Sequence, residues 1–194
     1  MKDSFESALV AFGSNYESKF GSPRETILYS IEKLQEKSTK LLKVSDFYLS
    51  QAFPAGNGPD YVNAVAKFQT KLNVNELMIK LHQIENLCER KRFKRWGSRT
   101  LDLDLISFGN QIIPNTEGFL KWANLSLKKQ YEEAPASLIL PHPRIQDRLF
   151  VLLPLRDVAL NWSHPVFKKN IEELLSNFSE KEHKAVKRIK IEIN

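Results

Sequence analysis

Leu101, Leu103 and Leu105 alternate with Asp102 and Asp104 along one short run. A two-residue period is that of a β-strand, so the leucines share one face and both aspartates the other. The run requires a sheet with one face buried under other elements and the opposite face open to two carboxylates. At a rise of ~3.4 Å per residue the two acids stand about 7 Å apart along the strand. They repel each other unless a cation lies between them, and hard oxygen donors in so small a cluster suit Mg²⁺. Directly upstream, Arg90, Lys91, Arg92, Lys94, Arg95 and Arg99 supply the positive charge that a polyphosphate needs. A charged strand end beside a solvated basic loop is the plainer reading. A bare Asp-x-Asp pair does not choose between the two.

The remaining chain builds a sheet of the required kind. Ala8 to Phe12 is an apolar strand ending in the turn signal Gly13-Ser14-Asn15. Glycine at that point lets backbone come close to a ligand, although an ordinary turn explains it equally. Ser22, Pro23 and Glu25 form an N-cap, first-turn proline and capping box, followed by Ile27, Leu28, Ile31 and Leu34 at helical spacing. Leu42 to Leu49 reads as a strand, and residues 50–59 as a long loop carrying Phe53. Tyr61 to Gln69 is the next strand, with Val62, Ala64, Ala66 and Phe68 as its core face. Tyr61 and Asn63 on the other face have the chemistry to stack on and hydrogen-bond a flat heterocycle. Taken alone they read as an edge-strand tyrosine beside a solvated asparagine. Asn73 and Glu76 cap a second helix running to about Glu89, with Leu77, Leu81, Ile84 and Cys88 as its buried stripe.

The aspartate strand, Leu101 to Phe108, closes a strand-helix-strand-strand-helix-strand order. That is the split βαβ pattern, an α+β ferredoxin-like βαββαβ core with helices on one face of an antiparallel sheet. Residues 114–138 form a longer connection, in which Ser126 to Glu133 reads as a short helix. His142 lies between Pro141 and Pro143 in an extended loop, six residues before Arg148. Phe150 to Leu155 is apolar and buried. Phe167 to Phe178 contains a short amphipathic helix. The charged residues 179–194 end in an alternation of Ile189, Ile191 and Ile193 that suits either an added edge strand or a frayed terminus.

One domain over residues 1–178 with a tail at 179–194 fits a chain of 194 residues. The net charge of +6 permits anionic partners without naming one. The single cysteine, Cys88, excludes an internal disulfide and fits a reducing cytoplasm, as a small buried hydrophobe on a helix. The polar start from Met1 to Ser7 is unlike a signal peptide, and no apolar run approaches the ~20 residues of a membrane span.

The string Arg95-Trp96-Gly97-Ser98-Arg99-Thr100-Leu101-Asp102-Leu103-Asp104 resembles the signature of the 6-hydroxymethyl-7,8-dihydropterin pyrophosphokinase family. The likeness extends through Gly13-Ser14-Asn15, Pro59-Asp60-Tyr61-Val62-Asn63-Ala64, and Pro141-His142-Pro143-Arg144 with Arg148 and Phe150. It implies an α/β sandwich on a ferredoxin-like core, and transfer of the terminal diphosphate of ATP to a reduced pterin in folate biosynthesis, with AMP released. By resemblance, Asp102 and Asp104 bind two Mg²⁺. Tyr61 and Phe150 sandwich the pterin, Asn63 bonds its polar edge, and Gly13, Ser50 and Phe53 line its pocket. Arg90, Arg99, His142 and Arg148 match phosphate contacts, Arg90 and Arg99 with a catalytic part. Trp96 matches the tryptophan of a mobile loop over the pterin side, and Glu85 a helix residue on the nucleotide side. The partners implied are small molecules alone, with no nucleic acid or membrane, acting on a cytoplasmic monomer. The loop Gln51-Ala52-Phe53-Pro54 departs from the consecutive prolines of short members.

Two other classes remain open on the residues. A ferredoxin-like sheet with aromatics and a basic loop also serves single-stranded nucleic acid, but exposed aspartates on that face repel phosphate. Another two-metal nucleotidyl transferase would share the aspartates and lack pterin-dependent AMP release.

Overall fold

The computed structural model describes residues 4–52, 58–88, 100–126, 129 and 132–189. Its frame is a six-stranded sheet. The strands are β1 (Glu6–Ser14), β2 (Thr39–Val44), β3 (Phe47–Ser50), β4 (Tyr61–Thr70), β5 (Asp102–Phe108) and β6 (Lys187–Ile189). The order is β5-β1-β4-β3-β6, with β2 also paired to β4, and every pairing is antiparallel. With β2 and β3 counted as one strand, the first and third core strands lie side by side at the centre, as the split βαβ pattern requires. The α+β ferredoxin-like expectation therefore holds.

Helix α1 (Pro23–Leu34) starts at Ser22 and α2 (Val74–Leu87) at Asn73, each with the capping box read from the sequence. Both pack on one face. Ile27, Ile31 and Leu34 of α1, with Leu77, Leu81, Ile84 and Cys88 at α2, enclose Val10, Phe12, Ala64, Ala66, Phe68, Leu103 and Leu105. Leu101, Leu103 and Leu105 are all buried there, so the alternation of the aspartate strand is realised. Burial pushes the Cys88 thiol up to about 11, which leaves it an inert core residue.

Three expectations change. The Leu42–Leu49 strand is two strands, because the Ser45 hydroxyl accepts the Val65 N–H at 3.0 Å while its own N–H donates to the Val65 carbonyl. A side chain thereby takes a backbone place in the ladder and bends the chain at Ser45-Asp46. The helices also do not keep to one face. α4 (Leu149–Ala159) and α5 (Ile171–Leu175) pack Leu152, Leu155, Val158, Ile171 and Leu174 against Leu9, Ala11, Tyr48, Val65 and Ile106 on the opposite face. Strand β4 is central, not an edge. Within the long connection the described helix is α3 (Thr116–Ala123), capped by Asn115. The expected helix over 126–133 includes positions outside the described residues. Last, α6 (Glu180–Ala185) leads into β6, so Lys187–Ile189 takes the edge-strand alternative. Among the described residues, no helix is long and apolar enough to cross a membrane.

Candidate active site

Among the described residues, α4 covers only part of its face. At the end where β1 stops and β5 begins, the sheet register sets Asp102 of β5 opposite Gly13 of β1, and Gly13 opposite Asn63 of β4. One step inward, Asp104 faces Ala11, which faces Val65 beneath α4. Both carboxylates thus stand on one face, in line with the asparagine and beside the helix that closes the rest of the surface. Gly13 is the low point of that row. A Cβ there would lie 3.8 Å from Asn63 Oδ1 and 4.0 Å from Tyr61 Cδ1, an ordinary contact that narrows the floor without clashing.

Asn63 is buried and not solvated. Its Nδ2 donates to the Tyr48 carbonyl at 3.1 Å, to the Ser50 hydroxyl at 3.0 Å and to the Tyr61 carbonyl at 3.3 Å. Carbonyl oxygens can only accept, so the nitrogen must face them and Oδ1 is turned toward Gly13. The amide therefore presents an acceptor to the open row. Ser50 is buried at the end of β3, opposite Tyr61. Phe150 is half-buried in the first turn of α4, at the rim of the second core.

Arg148, just before α4, donates from Nη1 to Asp104 Oδ2 at 3.0 Å. His142 Nε2 is 4.0 Å from the same oxygen. His142 is held at both ends of its residue. Its backbone N–H donates to the Ile106 carbonyl at 2.8 Å, and its Nδ1 accepts the Arg144 N–H at 3.2 Å. An Nδ1 acceptor leaves the proton of the neutral ring on Nε2, facing Asp104. Burial is the main cause that lowers the imidazole to about 4, helped by the Arg148 charge and opposed by Asp104. At neutral pH His142 is an uncharged N–H donor. A cleft of about 260 Å³ opens beside it, lined in part by His82, Asp104, Trp122, Arg144 and Arg148.

Glu85 points from α2 into the interior. It is 2% exposed, and its Oε1 accepts the Leu103 N–H at 2.9 Å. The residue between the two aspartates is thereby held from α2. Ser14 and Asn15 also have tasks that a turn signal alone did not reveal. The Ser14 hydroxyl donates to the Thr100 carbonyl at 2.7 Å, and Asn15 Nδ2 to the Pro59 carbonyl at 3.0 Å. They tie together the two segments that flank the open row. Phe53, Arg90, Trp96 and Arg99 lie outside the described residues. Of the residues near the cleft, Trp122 and His82 carried no sequence signal, since each is a lone residue on a helix.

The family model described as 7,8-dihydro-6-hydroxymethylpterin-pyrophosphokinase matches residues 9–160. The chain belongs to this family. A 2-amino-4-hydroxy-6-hydroxymethyldihydropteridine pyrophosphokinase of Haemophilus influenzae is 35% identical over 93% of this chain and 96% of its own length. One of the same name from Pseudomonas aeruginosa is 37% identical over 77% of this chain and 78% of its own. Among solved structures, an HPPK-DHPS in complex with substrates aligns with a TM-score of 0.65 at 16% identity, covering 95% of this chain and 46% of that one. Wild-type Plasmodium falciparum HPPK-DHPS gives 0.64 at 15%, covering 98% and 49%. The chain thus spans about half the length of these solved proteins, and at such identity they speak for the fold alone.

Proposed function

We propose that this pyrophosphokinase transfers diphosphate from ATP to the hydroxymethyl group of 6-hydroxymethyl-7,8-dihydropterin and releases AMP, within folate biosynthesis. The observation that carries the reading is the row Asp102–Gly13–Asn63 with Asp104 in the row beside it, which puts an acid pair and an amide acceptor at the same end of the sheet, where the described helices leave it open. Family membership supplies the reaction class.

The pterin lies along the Asn63 side of the row. Asn63 Oδ1 accepts from its amino edge, Tyr61 and Phe150 flank its rings, and Gly13, Ser50, Phe53 and Trp96 complete the pocket. The triphosphate lies on the β5 side. Arg148 and the Nε2–H of His142 bind phosphate oxygens there, and Arg90 and Arg99 offset the charge that develops during transfer. Glu85 serves this side from behind, by holding Leu103. The attacking atom is the hydroxymethyl oxygen, the β-phosphorus receives it, and the bond to the α-phosphate oxygen breaks. No residue is assigned as general base.

Asp102 and Asp104 fit Mg²⁺, because two carboxylates on one strand face are the one or two protein ligands that this ion takes beside phosphate oxygens and water. Asp102 and Asp104 would hold two Mg²⁺, which would supply charge neutralisation to the phosphates and acidity to the attacking hydroxyl. Arg148 can leave Asp104 for the phosphates without stranding a charge, since each partner then gains an opposite one.

The proposed site is carried by residues 1–178, and the protein acts as a cytoplasmic monomer on small molecules. The deciding experiment is incubation with ATP, Mg²⁺ and the reduced hydroxymethylpterin. AMP and pterin diphosphate should form together, and AMP release independent of pterin would overturn the assignment.

A further inference from the structure

The family match ends at residue 160, and the chain continues through α5, α6 and β6. β6 has only three residues, but its seat is specific. It pairs with β3 in the register Phe47↔Ile189, Tyr48↔Arg188 and Leu49↔Lys187. Strand β3 is itself four residues long. Without β6 it would be the outer strand of the sheet, and a short outer strand has few contacts to hold its backbone. That backbone matters to the open row. The Tyr48 carbonyl and the Ser50 hydroxyl, both on β3, are two of the three acceptors that turn the Asn63 amide.

One guanidinium fastens the pairing. Arg188 Nε donates to Asp46 Oδ2 at 2.7 Å, in the bend that opens β3. Its Nη2 lies 3.6 Å from Asp157 Oδ1 on α4, and the other oxygen of Asp157 accepts the Tyr48 hydroxyl at 2.9 Å. The same guanidinium is 6.0 Å from the centre of the Tyr48 ring. Arg188 therefore joins the start of β3, the middle of β3 and the helix that begins beside Arg148. Half of its side chain is exposed, and an exposed pair adds little to global stability. Its three partners, two at β3 and one on α4, instead fix where β3 sits.

We propose that Ser179–Ile189 is a positioning element for the pterin subsite: β6, fastened by Arg188, holds β3 so that the Tyr48 carbonyl and Ser50 hydroxyl aim Asn63 Oδ1 at the ligand. This rests on the reading of Asn63 as a pterin contact. The segment touches no substrate in this account. Its loss should act on pterin KM, with the ATP side, built from β5 and the start of α4, unaffected.

The test compares full-length protein with a chain ending at Phe178, with Arg188→Ala and with Arg188→Lys, at a temperature where each is folded. Deletion should raise pterin KM about tenfold, the scale of one weakened hydrogen bond to the ligand. ATP KM and kcat should stay within about twofold. Arg188→Ala should move pterin KM the same way, and Arg188→Lys should restore part of it. Amide exchange at Tyr48 and Leu49 should quicken in the deletion, and the Asn63 side-chain amide resonances should shift. An unchanged pterin KM, or pterin and ATP KM rising together, overturns the proposal. A lower melting temperature with intact KM values reduces the segment to a stabiliser. If the deletion does not fold, the two Arg188 variants decide. If the full-length protein binds no pterin, the functional reading fails. Unaltered exchange in β3 and unaltered Asn63 resonances then overturn the positioning claim separately.

Discussion

Glu85, buried in α2, accepts the backbone N–H of Leu103, the residue between the two aspartates. Among the described residues β5 is the outer strand on that side of the sheet, so this N–H meets no neighbouring strand there. A buried carboxylate supplies the missing acceptor. A second outer-edge group, the Ile106 carbonyl, is met by the His142 N–H. The strand that carries the acid pair is held along its free edge by two residues that the sequence had pointed to for ligand binding.

Glu85→Ala should therefore cost more than a helix substitution normally does. It leaves a buried N–H without a partner, a loss of about 1–3 kcal/mol. Glu85→Gln keeps an oxygen acceptor and should retain much of that. Urea unfolding of both variants checks this. Equal stability of Glu85→Ala and the parent chain would remove Glu85 from any part in holding β5.

Asp102→Asn and Asp104→Asn should lower turnover by on the order of 10³-fold or more while the fold survives, because each loses a charge at an accessible strand position. Asp104→Asn also releases Arg148. Steady-state rates across a Mg²⁺ titration are the measurement. Near-parental activity of both variants at limiting Mg²⁺ would end the two-aspartate metal site.

Asn63→Ala removes the Oδ1 acceptor and the Nδ2 bonds to the Tyr48 and Tyr61 carbonyls and the Ser50 hydroxyl. Pterin affinity should fall roughly 10- to 100-fold, with ATP affinity nearly constant. Calorimetric titration with each ligand separates the two. Matched losses for both would mean that the sheet has been disturbed, not the pterin edge.

The sheet and the acid pair were legible because their signals are local. Leucine-aspartate alternation is a backbone period, and Ser22 and Asn73 cap helices through residues three positions on. What was not legible rests on contacts between distant segments. The break between β2 and β3 depends on Ser45 meeting Val65 across the sheet. The burial of Asn63 depends on Tyr48 and Ser50, which the structure places together on β3, although Ser50 reads as loop in the sequence. The run Leu149 to Leu155 is almost wholly apolar and contains Pro154, so no helical period marks α4, and the second covered face followed from it. By contrast α3 carried a readable cap at Asn115, four residues before the buried Phe119. The site residues near the acids were found through the resemblance to the family's motifs, while Trp122 and His82 enter the cleft only through tertiary packing.

Acid should destabilise the protein through His164. The ring is fully buried among Phe119, Trp162 and Phe167, with ring centres 4.5–5.6 Å away. Its Nδ1 accepts the N–H groups of Val166 and Phe167 at 3.2 and 3.1 Å, which only an unprotonated Nδ1 can do. Burial accordingly lowers this imidazole to about 4. The unfolded chain, with an ordinary value of ~6.5, binds the proton first. Stability from the neutral ring is complete above that value and is lost as the pH falls through the folded one. Between the two it declines by about 1.4 kcal/mol per pH unit, reaching a loss of about 2 kcal/mol at pH 5. The His142 imidazole is also lowered, to about 4, and contributes its own decline, so the parent chain alone cannot isolate His164. His164→Leu leaves His142 in place and removes only the one titration. Urea unfolding at pH 7.5 and pH 5.0 should show a smaller acid loss in the variant, by that same amount. An identical acid loss in both chains would mean that His164 is not held neutral by the fold.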